Sequence, residues 1–125
     1  MKAWSVPGLG EPAGHYVYAM QAGSMVYLSG VLPDLPRGQD FASQFDTCFT
    51  RVEAILASGG LGLPHLVQCT VYLADIGLWD EFNQLYRRRL GSHRCARTVV
   101  PVGSLHFGAL IEVQAVAEAT RSAAA

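Results

Sequence analysis

Between Asp40 and Gly59 the chain places Phe41, Phe45, Cys48, Val52, Ile55 and Leu56 at spacings of three and four. Apolar residues at that period form one stripe along an α-helix. Asp40 suits an N-cap, because its carboxylate can accept from a free backbone N–H of the first turn. Gly59 and Gly60 stop the helix. A helix with a single apolar stripe is stable only when that stripe lies on another apolar surface. The rest of the chain has to supply that surface, and its pattern says that strands do so.

Two β-prone segments, residues 15–20 and 25–31, flank "QAGS", where Gly23 permits the turn of a hairpin. The loop "VLPDLPRG" carries two prolines and a glycine and leads to the first helix. "LVQCTVYLAD" alternates Val67, Cys69, Val71 and Leu73 with Leu66, Gln68, Thr70 and Tyr72, which reads as a strand. A second helix spans 78–90, with Trp79, Phe82, Leu85, Tyr86 and Arg89 on or near one side and Gly91 past its end. Residues 95–102 and 109–117 are the last two strands, joined by a glycine-bearing turn at 103–108. A frayed "RSAAA" tail follows.

This order, β-β-α-β-α-β-β, predicts a single α+β domain: a mixed sheet of four or five strands with both helices packed on one face. The other face then has no cover within the chain. Half of the 125 residues are hydrophobic and only 15% are charged. An apolar chain with an open sheet face implies further copies of itself, so a homo-oligomer is expected.

The charge balance, nine basic against ten acidic residues, gives −1 and draws the chain neither to nucleic acid nor to anionic lipid. Arg87, Arg88 and Arg89 fit a solvated helix C-terminus. Three widely spaced cysteines, Cys48, Cys69 and Cys95, do not make a disulfide framework. With no leader-like segment and no apolar run of membrane-spanning length, a cytoplasmic protein is expected. His15, His65, His93 and His106 show no metal-ligand spacing, so neither metal nor other cofactor is expected.

The last two strands raise the chemical question. Their apolar run from Cys95 to Ala117 holds one arginine, Arg97, and one glutamate at 112. One reading is a salt bridge between neighbouring strands, since charges persist in apolar surroundings when paired. The other is a site. An arginine grips a carboxylate at two points, and a poorly solvated glutamate has a pKa suited to moving protons near neutrality. By strand alternation Cys95 shares the face of Arg97, near a cation that favours thiolate. Ser29 and Gly30 end a strand, where bare backbone N–H groups can meet an anion.

The segments "AGHYVYAMQAGSMVYLSGVLP", "RVEAILASGG", "VQCTVYLAD", "FNQLY", "CARTVV" and "FGALIEVQAVA" together resemble the reactive intermediate deaminase family, also called YjgF-like, UK114-like or Rid. The resemblance runs unbroken from residue 10 to 118, and the pairing of "ART" with "GALIEVQAVA" is its most specific part. It implies a chorismate-mutase-like fold, assembled as a homotrimer whose sheets form a central barrel, with sites in the clefts between subunits. It implies cofactor-free hydrolysis of imines formed from enamines such as 2-aminoacrylate, giving a 2-oxo acid and ammonia.

Matched by position, Arg97 binds the substrate carboxylate, Glu112 activates water and Tyr16 lines the pocket. Ser29, Gly30, Val31, Asn83 and Val99 are substrate-binding positions, with His15 at the pocket mouth. His15 stands where the family commonly has proline, and Val31 where it has glutamine. A cysteine stands two residues before Arg97 rather than two after, and the segment from Tyr86 to Arg97 is short. A specialised member acting on a larger or less polar imine, and a non-catalytic 2-oxo acid-binding protein, are the alternatives. Chaperone-like or RNA-cleaving activity, attributed to relatives, makes a third class, and the near-neutral charge speaks against the RNA version.

Overall fold

Strand β4 (Leu66–Leu73) is the axis of the sheet: it pairs in parallel with β5 (Ala96–Pro101) on one side and antiparallel with β6 (Ile111–Glu118) on the other. In this computed structural model, which describes residues 1–35 and 40–119, β6 pairs in turn with β3 (Met25–Leu28). β2 (Ala19–Ala22) and β1 (Lys2–Trp4) complete an edge. The sheet has six strands in the order β1-β2-β3-β6-β4-β5, not four or five. The extra strand is β1, three residues that are too short to show alternation and become a strand only by pairing with β2. Residues 36–38 of the proline loop and the "RSAAA" tail lie outside the described residues.

Helices α1 (Phe41–Ser58) and α2 (Trp79–Leu90) pack on one face. The expected caps are present, with the Asp40 carboxylate accepting from the Ser43 N–H at 2.7 Å. The α1 stripe is buried, with Cys48, Phe49, Val52 and Leu56 each fully covered. It meets Val71, Leu73, Ile111, Val113 and Ala115 of the sheet in one core. Arg89 ties the two helices together: its guanidinium reaches Asp46 at 2.8 Å and Glu53 at 2.6 Å and donates to Thr50 at 3.0 Å. The basic helix end is therefore partly a clamp, not only a solvated terminus.

Both hairpin strands shift their bounds and β4 carries a bulge, each for a local reason. The first hairpin strand begins at Ala19, because Tyr16 closes a tight turn onto the Gly14 carbonyl and bends the chain upstream. The second ends at Leu28, although Val31 rejoins the sheet through a bridge to Val113. In β4 a register shift between Leu66 and Gln68 inserts an extra residue. The bulge puts Leu66 on the buried side with Cys69 and turns Val67 out to 43% exposure, against the simple alternation.

The opposite face carries Met20, Tyr27, Thr70, Tyr72, Glu112, Gln114 and Val116, and no described element of the chain covers it. Trp4 closes the core at the other end, where its indole lies against Gly59 so closely that a β-carbon there would collide with the ring. Gly59→Ala should therefore destabilise the fold by about 1–3 kcal/mol through overpacking. The penalty should shrink when Trp4 is replaced by leucine. Urea unfolding of the two single variants and the double variant measures both; equal penalties in both backgrounds would show that the indole is not the obstacle.

Candidate functional site

Arg97 lies on β5 and points toward α2. Its Nη1 donates to Asn83 Oδ1 at 2.9 Å. Its guanidinium carbon sits 4.9 Å from the Tyr86 ring centre, 5.5 Å from Phe82 and 5.7 Å from Trp79. Ring faces attract a cation and orient its planar fork. Among the described residues no carboxylate pairs with this arginine. It is a held cation whose remaining donors are unspent.

Glu112 lies on the other face of the sheet. Its neighbours Ile111 and Val113 are buried beneath the helices, so strand alternation sends Glu112 to the open side. The strand that carries Arg97 is not adjacent, because β4 separates β5 from β6. The salt bridge between neighbouring strands is thus excluded within one chain by both topology and facing. Nor do these residues form one intact site within a chain.

The Glu112 carboxylate instead abuts the backbone of Gly30, where any side chain would collide with it. Burial holds its pKa above the usual carboxylate range, opposed by the positive charge that His106 can carry. Gly30 is exposed, and its N–H makes no hydrogen bond among the described residues. Ser29 does not offer a bare N–H: it donates to the Tyr18 carbonyl at 3.0 Å, while its hydroxyl donates to the Val17 carbonyl at 2.6 Å. Its role is to lock residues 17 and 18 against the end of β3.

Tyr16, Ser29, Gly30 and Val31 line a cavity of about 660 Å³. Tyr16 is 47% exposed and stands edge-on to Tyr18. His15 is exposed and does not line the cavity. Val99 shares the Arg97 face and packs against the core, so its side chain is structural; β5 is an edge strand with backbone groups open on its outer side. The nine expected positions therefore divide. Tyr16, Ser29, Gly30, Val31 and Glu112 gather at the end of β3, Arg97, Asn83 and Val99 at the β5 edge, and His15 joins neither group.

Two features escaped the sequence reading. Trp79, Phe82 and Tyr86 looked like the buried side of a helix, and their spacing held no sign that Arg97 would cross them. Phe107 was hidden in a turn. It adopts a left-handed backbone at φ 60°, is 73% exposed, and lies tilted against His106 with ring centres 3.7 Å apart. The signal available was an aromatic residue inside a turn next to Gly108.

Cys95 has its pKa held low, first by a hydrogen bond with Cys69 and further by Tyr86, whose hydroxyl is 3.5 Å away. That cause differs from the expected influence of Arg97. Among the described residues no three His, Cys, Asp or Glu side chains gather as a metal set, and no helix is long and apolar enough to cross a membrane.

The sequence model of the family described as endoribonuclease L-PSP matches residues 9–119. The chain belongs to this YjgF/RutC/Rid family. Protein DfrA of Myxococcus xanthus is 34% identical over 112 residues, covering 83% of this chain and 85% of the relative. Escherichia coli TdcF, solved with bound serine, superposes with a TM-score of 0.86 at 26% identity, over 98% of this chain and 100% of that one. The YjgF gene product of E. coli gives a TM-score of 0.80 at 29% identity, over 88% and 91%. The two-helix, six-strand architecture is the family's.

Because Arg97 is not the partner of Glu112 in the chain, Glu112→Gln should not destabilise it. A carboxylate whose folded pKa lies above its unfolded value weakens the fold while ionised. That penalty is full above the folded pKa and vanishes as pH falls below the unfolded one. Thermal melting should find Glu112→Gln at least as stable as the natural protein at neutral pH, with the difference closing on acidification. A large loss of stability in the Gln variant would restore a structural ion pair.

Proposed function

We propose that the chain is a hydrolytic deaminase of imines derived from 2-amino acids, working as a homotrimer in which each site is shared by two subunits. One observation carries this reading: an unpaired, aromatic-held arginine and a desolvated glutamate lie on opposite faces of one sheet. Each is half of an imine-hydrolysing pair. A second copy, covering the open face, would bring the Arg97 of one chain to the Glu112 of another. Family membership and the serine held by TdcF support a ligand with an amino-acid carboxylate.

In this mechanism Arg97 binds the carboxylate through its free donors, with Asn83 fixing the plane of the fork. The bound imine carbon is already electrophilic, so orientation and proton movement suffice. Glu112 takes a proton from water as the oxygen adds to the C=N carbon, forming a carbinolamine. It hands that proton to the nitrogen to complete the carbinolamine; the hydroxyl proton then passes through Glu112 to the amine as the C–N bond breaks, and ammonia and the 2-oxo acid leave. In this reading the Gly30 N–H, which makes no hydrogen bond among the described residues, holds the water or the new oxygen. Ribonuclease chemistry, named in the family's description, would call for a surface that attracts phosphates, and a net charge of −1 does not supply one.

Arg97→Ala should lose turnover of carboxylate-bearing imines, with Arg97→Lys recovering little because an ammonium lacks the planar fork. Glu112→Gln should slow ammonia release by about 10²–10⁴-fold. Co-assembled in equal amounts, the Arg97→Ala and Glu112→Gln chains should regain activity. About one interface in four of a cyclic trimer then unites two intact halves. The assay is ammonia release from 2-iminopropionate generated in place, with the uncatalysed rate subtracted. A mixture no more active than its parts would remove the shared site.

A further inference from the structure

The cavity at the end of β3 is far larger than the smallest imino acids require. Its volume of about 660 Å³ lies within the roughly 300–1,000 Å³ of pockets that enclose whole drug-sized ligands. A methyl side chain would fill one corner of it. Gly30, which the Glu112 carboxylate abuts, is part of its lining; Glu11, Ser29 and Arg51 add polar groups, and much of the wall is apolar or aromatic, with Leu9, Tyr18, Val31, Leu35 and Ile55. The one guanidinium in the lining, that of Arg51, is turned to structural use. Its Nη1 donates to the carbonyls of Leu32 at 3.0 Å and Pro33 at 3.3 Å, and Nη2 lies 3.7 Å from the Asp34 carboxylate. Arg51 therefore braces the wall rather than marking the far end as an anion site. A hydrogen bond of 3.1 Å from the Tyr18 hydroxyl to the Leu9 carbonyl braces the opposite side.

Phe107 is the second observation. A phenylalanine that is 73% exposed and held at a left-handed φ of 60° is unfavourable twice over, in hydration and in backbone energy. Its ring lies tilted against that of His106, and the residue lines the cavity. Such strain, in a turn where glycine would be relaxed, is accounted for if the ring is needed there by a ligand.

We propose that this cavity is the side-chain subsite of the imine site, selecting 2-imino acids with an aromatic or large branched apolar side chain that stacks on Phe107. The inference rests on the deaminase reading and names its substrate class. With the carboxylate on the Arg97 of one chain and the C=N carbon between Glu112 and Gly30 of the next, the side chain extends along the apolar wall. The chemistry is unchanged: water adds, ammonia leaves, and a 2-oxo acid with the same side chain remains.

The test compares imines generated by an amino-acid oxidase from phenylalanine, leucine and alanine. The natural protein should show a kcat/KM at least about tenfold higher for the phenylalanine-derived imine than for the alanine-derived one. Phe107→Ala should lower that ratio by about tenfold, the upper range of what one aromatic contact supplies. Calorimetric binding of phenylpyruvate and pyruvate gives a second readout that needs no turnover, and phenylpyruvate should bind more tightly. Equal handling of large and small imines, or a ratio untouched by Phe107→Ala, overturns the subsite while leaving deamination standing. Selective, Phe107-dependent binding of phenylpyruvate without turnover of any imine sustains the subsite and removes the catalysis. If neither oxo acid binds and Phe107→Ala shifts the oligomeric mass in light scattering, the cavity is a socket for a neighbouring copy and the proposal falls.

Discussion

Strand β4 stands between the strands that carry Arg97 and Glu112, and most of the molecule's logic follows from that position. Its parallel ladder to β5 turns Arg97 toward the helices, and its antiparallel ladder to β6 turns Glu112 away from them. A sheet has two faces and side chains alternate between them, so parity in the register decides which face each charge reaches. Once these residues are on opposite faces, neither can neutralise the other. Each needs its own local support, and in the proposed deaminase each acts only beside a second copy of the chain.

The support differs at the two places because the charges do. A guanidinium is planar and weakly hydrated, so three aromatic rings and one amide oxygen can hold it without a counter-ion. Helix α2 supplies all four groups from one side, at positions 79, 82, 83 and 86, which a helix brings together. The carboxylate is treated in the opposite way. It is brought against glycine backbone and partly removed from water, which raises its pKa. A β-carbon at Gly30 would occupy the carboxylate's space, so the carboxylate would have to move aside.

Much of this was legible in the chain. Both helices, with the Asp40 cap and the Gly59 stop, followed from periodicity, because an amphipathic stripe admits few other conformations. The isolated charges at 97 and 112 were visible because apolar strands seldom keep a charge without use. Local chemistry hid the rest. The bulge at Val67 has no sequence mark, and Tyr16 leaves the strand because of a turn that only coordinates reveal. β1 exists through its partner alone.

The sequence by itself determined both helices, every strand but β1, the family and the two isolated charges at 97 and 112, since these depend on side-chain type and on neighbours a few positions away. The tertiary structure alone decided which of those residues meet. It separated Arg97 from Glu112, gave Arg97 an aromatic cradle from α2, and joined the ends of three distant segments around one cavity with Phe107 on its wall. Strand order and register arise from the packing of the whole core, so contacts between residues far apart in the chain are written in no local stretch of it.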